Sequence, residues 1–570
     1  MSKKISIQPC LVGTSIFLLT VAESILTSPG LHPLKAGDEQ EKPPSHLGEV
    51  ETIRNGSSDP ERNEDTHHGF KPRHSQMIAI GGAIGTSLFV GTAQVLRISS
   101  PLFLLISYRV LPILICCIVT GIAEIATYLP VPGGTMAYYG HKYVSRSMGF
   151  AMGYLYWYSL GILIPYEFVA STLLINYWGT AVNGAVWITI IYVIIVIVNL
   201  FPVRVFGECE FWSAGMKVLL ILGLIFLSIV LFFGGGPDKD ALYFRYWKDP
   251  GPVNTYIVEG DAGRLVALLQ SFVLASFAFV LAPEQLIVTA GEMQSPRYNL
   301  PRAARRYIWR LVVLFMPSVI GIGVVYSSND PRLTAPGTAR SPFIIAIKNA
   351  GIPVLDSIVN ALILLSAITA ANAFLYSASR NLYSLSKAGS APAIFKRCNR
   401  YGLPYYAVLI TASLGCLAYL SLSNSSLTVF NWLINLTNTS GYISWISCGI
   451  IYVRYRKAIT HHKLESPYRS RLQPWGMYFG VIVSAILLII NGFTVFFPSQ
   501  WSVGDFFTAY ISIPAFLLIY FGHRLHHRGD AWARNPEDVD MYEGMDEVLA
   551  AERPPPVRGN ITRRLWALVE

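Results

Sequence analysis

Apolar residues run along this chain in long blocks, separated by short polar breaks. A helix needs about 20 predominantly apolar residues to cross a bilayer. Twelve stretches reach roughly that length: 75–96, 101–128, 150–178, 184–203, 211–233, 265–291, 308–327, 353–379, 404–422, 428–453, 475–497 and 504–522. The pattern predicts an all-α polytopic membrane protein of about twelve transmembrane helices over 74–523. The loops between the blocks are too short to build a soluble core. Residues 1–73 read as a disordered tail, polar over 35–72. Lys3 and Lys4 precede an apolar run at 11–22, which has the look of a signal-peptide core but is too short to span. Residues 524–570 form a second tail, whose acidic stretch 536–552 reads as solvated, with room for a short helix.

Two of the blocks are interrupted. Gly81, Gly82 and Gly85 break the first, and Pro283, followed by Glu284, breaks the sixth. Unwound backbone is tolerated at membrane depth only when buried in protein or lining a cavity. Interrupted helices at matching positions in two halves point to the substrate site of a secondary transporter. In GGAIGTS, exposed N–H groups at the start of a half-helix suit a carboxylate. In FAFVLAP, freed carbonyls around 280–282 suit an ammonium, and Phe277 and Phe279 would wall an apolar pocket. Both charges side by side describe an α-amino acid. The competing reading is that the glycines only permit close helix packing.

Charge adds orientation. Arg302, Arg305 and Arg306, then Lys387, Lys396 and Arg397, then Arg454, Arg456 and Lys457 follow spans six, eight and ten. Basic residues in short loops mark the cytoplasmic side, so both termini are expected to be cytoplasmic. The net charge of +10 is then a topology signal, and no nucleic-acid partner is expected. The seven cysteines include no Cys-x-x-Cys pair or metal-ligand spacing, and no nucleophile–His–Asp pattern appears, so neither a metal centre nor an enzyme is expected. The pairs His67–His68, His461–His462 and His526–His527 fall in tails or a loop and read as solvated.

Ionisable groups within apolar blocks are functional candidates by default. Glu124, Glu292 and Arg109 are explained as well by snorkelling or structural pairing. Glu167, Lys217 and Glu284 lie deeper. Burial disfavours the charged forms of such groups, which suits proton exchange, with buried structural pairing as the alternative.

GGAIGTSLFVG, EIATYLPVPGG, AGEMQSPRYNLPRA and SPFIIAIKNAGI resemble fungal amino-acid permeases, the yeast amino-acid transporter family of the amino acid–polyamine–organocation superfamily. The resemblance runs from about His74 to His523. It implies a leucine-transporter-like 5+5 inverted repeat (about 74–233 and 265–453) with helices 11 and 12 added at 475–522. It also implies plasma-membrane uptake by proton symport and alternating access, without a chemical cofactor. FAFVLAPE, one residue longer than the family's usual span-six break, is similar to the proline permeases. By this resemblance Ala83, Ile84, Gly85, Thr86 and Ser87 would hold the substrate carboxylate. Phe277, Phe279, Val280, Leu281 and Ala282 would hold the amine and face the side chain. Lys217 matches a lysine that replaces a sodium ion in proton-coupled relatives, and Glu167, Glu284 and Glu124 complete the coupling candidates. Ser87 and Ala282 stand where glycine is usual, and Arg109 where a small or apolar residue is usual. The expectation is an importer of neutral amino acids, L-proline first. Alanine, glycine or GABA transport, and a non-transporting sensor, are the alternatives. The expected partners are the amino-acid substrate, the bilayer and, through Lys35, Lys42 and Lys71, ubiquitin-ligase or trafficking proteins.

Overall fold

The computed structural model describes residues 86–551, apart from 132–134, 180, 202, 282, 285–286, 288–294, 334–340 and 400–401. The calls on 1–85, which include Ala83, Ile84 and Gly85, and those on Ala282 and Glu292 lie outside the described residues. Among the described residues every regular element is a helix. A wide turn, Ser87–Gly91, leads into α1 (Thr92–Tyr128). Then come α2 (Met136–Tyr143), α3 (Arg146–Ile175), α4 (Gly184–Asn199), α5 (Val203–Phe232) and α6 (Gly260–Ser276). The second half holds α7 (Pro296–Arg310), α8 (Met316–Val325), α9 (Pro342–Asn349), α10 (Leu355–Lys387), α11 (Tyr405–Ser413) and α12 (Ser426–His461). Last are α13 (Trp475–Ile490), α14 (Val503–Tyr510), α15 (Ser512–His526) and α16 (Met545–Ala551).

Among the described residues eight helical stretches are long and apolar enough to cross a membrane, or nine if α14 and α15, bent by 42°, form one span. Three features separate this count from the twelve apolar blocks. The helix of α1 runs through two blocks, which part at Ser100 (φ 63°, ψ 172°) just before Pro101. α4 has only 16 residues. α12 has 36 residues, but its middle carries buried Thr437, Asn438, Thr439, Ser440 and Ser444.

The central element is α3, whose membrane-length window is 94% buried. It packs on α10 and α12. Lipid tails are as apolar as leucine, so helices inside a bilayer associate by close packing and hydrogen bonds. Gly153 shows this: a Cβ there would overlap Leu385 of α10. Asn381 of α10 donates to the Gly153 carbonyl at 3.2 Å.

The acidic tail docks through Val539, Met541 and Met545, while Glu537, Asp538, Asp540, Glu543 and Asp546 stay exposed, and Met545–Ala551 forms the short helix. Ser145 caps α3, accepting from Met148 N at 3.1 Å. Asp530 adds a second cap, accepting from Arg146 N at 3.2 Å, Ser147 N at 2.9 Å and Ser147 Oγ at 2.6 Å. Free N–H groups at a helix start favour such a carboxylate. Arg534 N donates to Val144 O at 2.8 Å, and Arg454 Nη2 donates to Arg534 O at 2.6 Å. Tyr128 Oη donates to Met541 O at 3.2 Å, and Lys142 pairs with Glu543 at 3.3 Å. Arg297 of α7 donates to Tyr128 O at 2.9 Å and lies on Met545 Sδ. Val539 and Met541 are buried beneath these bonds. The tail thus joins the last turn of α1, the starts of α3 and α7 and the end of α12.

Candidate functional site

The sixth apolar block breaks where its proline requires. Proline donates no hydrogen bond, and its ring crowds the carbonyl four residues earlier. For Pro283 that carbonyl belongs to Phe279. α6 accordingly ends at Ser276, one tight turn covers Phe277–Phe279, and Val280 is extended at φ −61° and ψ 138°. Leu281 follows at φ 61°. A leucine in the left-handed region costs about 1–3 kcal/mol and persists only where its surroundings impose it.

α12 supplies those surroundings. Asn438 Nδ2 donates to Val273 O at 3.0 Å, and the Tyr442 and Ser276 hydroxyls are bonded to each other. A Cβ on Gly441 would overlap Val280, so this glycine lets the two backbones approach. Ser444 Oγ donates to Glu284 Oε1 at 2.5 Å and lies 2.8 Å from the Tyr156 hydroxyl of α3. Glu284 Oε2 is buried and has no hydrogen-bond partner among the described residues. The polar middle of α12, which lowers its hydropathy, is therefore the strip that faces the break.

The start of the chain's described part meets the same region. Thr86 Oγ1 donates to Glu167 Oε2 at 2.9 Å and lies 3.3 Å from Tyr166 Oη. All three residues are buried. Phe277 packs on Tyr166 with ring centroids 4.7 Å apart, and Tyr166 stacks on Phe430 at the same separation. Phe279 goes elsewhere, into the core between Tyr108 (5.7 Å) and Phe315 (5.4 Å). So the two phenylalanines, two residues apart, serve opposite sides of the turn. Ser87, on the wide turn after Thr86, is half-buried, as is Val280, and Leu281 is buried.

Lys217 of α5 is fully buried and interacts electrostatically with Glu167 and with Glu210. Glu210 escaped the sequence reading, although it stands seven residues before Lys217 and so on the same helix face. Glu124 is placed apart from this group. Its Oε1 pairs with Arg456 Nη1 at 2.7 Å, and its Oε2 accepts from Tyr452 Oη at 3.0 Å. Tyr452 lies eight residues beyond Ser444 on α12, about 12 Å along the axis, toward the tail-bearing end. Arg109 is half-buried on α1, beside Tyr108.

Among the described residues no three His, Cys, Asp or Glu side chains converge on a metal position. A cleft of about 460 Å³ is lined by Phe150, Ser390, Leu518 and His523. Phe150 is 17 residues before Glu167 on α3, about 25 Å away along the helix, so this cleft is not the site at the break. The break itself offers carbonyl acceptors, buried hydroxyls and carboxylates with part of their bonding capacity open. Such a set can bind a small zwitterion and exchange a proton.

A family model described as amino acid permease matches residues 74–531. A proline-specific permease of Emericella nidulans is 42% identical to this chain, over 88% of it and 94% of the relative. A probable proline-specific permease of Schizosaccharomyces pombe is 42% identical, over 85% of this chain and 90% of the relative. A dicarboxylic amino acid permease of Saccharomyces cerevisiae is 36% identical, over 83% of this chain and 79% of the relative.

Proposed function

The chain belongs to the amino acid permease family, and on that premise we propose that it imports neutral amino acids, L-proline first, together with protons. The names of its 42%-identical relatives support proline as the substrate. The observation that carries the reading is the break at Val280–Leu281, clamped by α12 and adjoining Phe277, whose ring meets Tyr166 beside Thr86 and Glu167.

In this reading the substrate carboxylate is held by N–H groups of 83–87 at the start of the half-helix. The substrate amine is held by carbonyls of 277–282. A secondary ammonium such as proline's brings two N–H donors, one fewer than a primary ammonium, and so asks for fewer acceptors. Phe277 and Tyr166 offer the apolar wall for its ring. Glu167, Lys217, Glu284 and Glu124 are the coupling candidates, and the coupling ion is a proton. We read the apolar blocks as twelve spans in a 5+5 inverted repeat plus two, lying in the plasma membrane with both tails cytoplasmic. Alternating access then follows from rocking of the broken helices around a midplane site. Lysines of the first tail would serve ubiquitin-ligase or trafficking partners.

The test is uptake of radiolabelled L-proline into yeast lacking its own proline permeases, at pH 5 and pH 7.5, with and without a protonophore. A panel of unlabelled amino acids is run in competition. Saturable uptake that is faster at pH 5, is abolished by the protonophore and is competed best by proline is expected. Absence of uptake by protein that has reached the surface overturns the reading.

A further inference from the structure

The kink in α1 is mended by a distant part of the chain. Pro101 has no N–H, so the carbonyl four residues earlier, Arg97 O, loses its helical partner. Asn254 Nδ2 donates to that carbonyl at 3.2 Å. Just past the proline, Leu102 N donates to Pro252 O at 3.0 Å. Between them Ser100 sits at φ 63°, where glycine is favoured, and its hydroxyl donates to Ser328 Oγ at 3.0 Å. Backbone groups freed at a break need such partners. The segment 252–254 thus supplies from outside the helix what the proline removes.

The same segment is tied to α6. Tyr256 N donates to Gly263 O at 3.2 Å, in the first turn of α6. A Cβ on Gly263 would overlap Val258 O, so the glycine lets this carbonyl lie against the helix. Thr255 N donates to Asn254 Oδ1 at 3.0 Å, which fixes the amide with its nitrogen toward Arg97 O. Asn254 is therefore used twice, as an acceptor from its neighbour and as a donor to α1.

Each half-helix has one end at the break and the other at this segment. Thr86 and Ser87 stand at one end of the first, and Arg97 at the other. Phe277 follows one end of α6, and Gly263 is near the other. At the break the turns Ser87–Gly91 and Phe277–Phe279 pack on each other. Two rods pinned at both ends keep a fixed register. We propose that 252–256 is a strap that stays closed through the transport cycle and holds the two half-helices as one body, with Asn254 as its positioning residue. The stretches 83–87 and 277–282 then keep their spacing while the pair moves. The inference rests on the importer reading given above.

The test uses the full chain carrying Arg97→Cys and Asn254→Cys, reconstituted into liposomes and assayed for L-proline counterflow at equal pH. This pair lacks the amide donor. Loss of one ordinary hydrogen bond corresponds to about 3–10-fold, and the counterflow rate is expected to fall by that much. Arg97 is exposed and Asn254 half-buried, so both new thiols are reachable. A short bis-maleimide joins them in detergent before reconstitution, and the rate is expected to return to within about twofold of the parent. Each single-cysteine variant receives the same reagent, which accounts for attachment at the exposed Cys209 and Cys416. A joined pair that no longer transports shows that the strap must open, and overturns the proposal. So does a joined pair that stays at the lowered rate, or an unjoined pair with the parent rate. If the pair fails to fold, Asn254→Gln, which keeps the amide, is compared with Asn254→Ala. A faster glutamine variant is then expected, and equal rates overturn the proposal. If the parent chain shows no proline counterflow, the importer reading itself fails and this inference falls with it.

Discussion

The carboxylates at the broken helices and those at the tail-bearing end are bonded in opposite ways. At the break, Glu284 keeps one oxygen without a partner among the described residues, and on α5 so does Glu210. Leu281 is held at positive φ. At the other end, both oxygens of Glu124 are engaged, by Arg456 and Tyr452, and Asp530 accepts from three donors. A buried carboxylate with both oxygens bonded has little left to offer a ligand or a proton. One with an open oxygen retains that capacity at a cost in stability. For these carboxylates the difference is the one the proposed function calls for: open bonding capacity at the break and closed pairs where the tail is fastened.

Breaking the fastening should mainly cost stability. Glu124→Ala leaves Arg456 partly buried without its partner, and removal of one member of such a pair costs about 3–5 kcal/mol. Thermal unfolding in detergent measures this, and uptake by the surviving protein should keep its pH profile. A flattened profile would move Glu124 into the working group. Breaking the working region should mainly cost transport. Lys217→Met is expected to lower proline uptake at pH 5 by about 100-fold, the range of a lost proton-transfer group, while surface expression persists.

Gly441→Ala tests where the two regions meet along α12. The added methyl overlaps Val280, and overpacking costs about 1–3 kcal/mol. Both Tm and uptake should fall, because the same contact stabilises the helix pair and shapes the break. The smallest effect is expected from Asp530→Asn, at about 0.5–1 kcal/mol for a weakened cap. Burial works against the Asp530 carboxylate, but bonds from Ser147 and Arg146 outweigh it and hold its carboxyl below the usual aspartate range. A lowered value means that the stabilisation is full above about pH 4 and is lost on acidification through the folded value. The Tm gap between parent and variant should therefore be constant near neutrality and close in acid.

Much of this was legible in the order of residues. Apolar blocks gave away the helices because length and composition suffice for that. Pro283 gave away the break because a missing donor acts locally. The side chains of the turn were less legible. Phe277 and Phe279 read as one wall, yet a tight turn sends residues two apart in different directions, and only Phe277 reaches Tyr166. α12 fell short as a span by hydropathy because its middle is polar, and that polarity makes sense only once Val273, Ser276 and Glu284 are seen opposite it. Glu210 was hidden because it stands beside Glu208 and Cys209 at the polar edge of the fifth apolar block, and only helical periodicity puts it on the face of Lys217. The tail was least legible. Its acidic side chains are exposed, as their composition predicts, but its docking depends on Val144, Tyr128 and Arg454, each remote in sequence.

That docking also has a place in time. The segment 530–545 is synthesised after every helix it fastens. At about 5–20 residues per second, the start of α7 emerges on the order of tens of seconds before Met545 is available to it. Through that interval Arg297, Lys142 and the first turn of α3 lack their final partners. The last contacts made are therefore a report on all the earlier ones: they close only if the ends of α1, α3, α7 and α12 have already come together correctly. A chain that is misthreaded or cut short would present this patch open, in a form that surveillance of newly made membrane proteins can distinguish from the finished molecule.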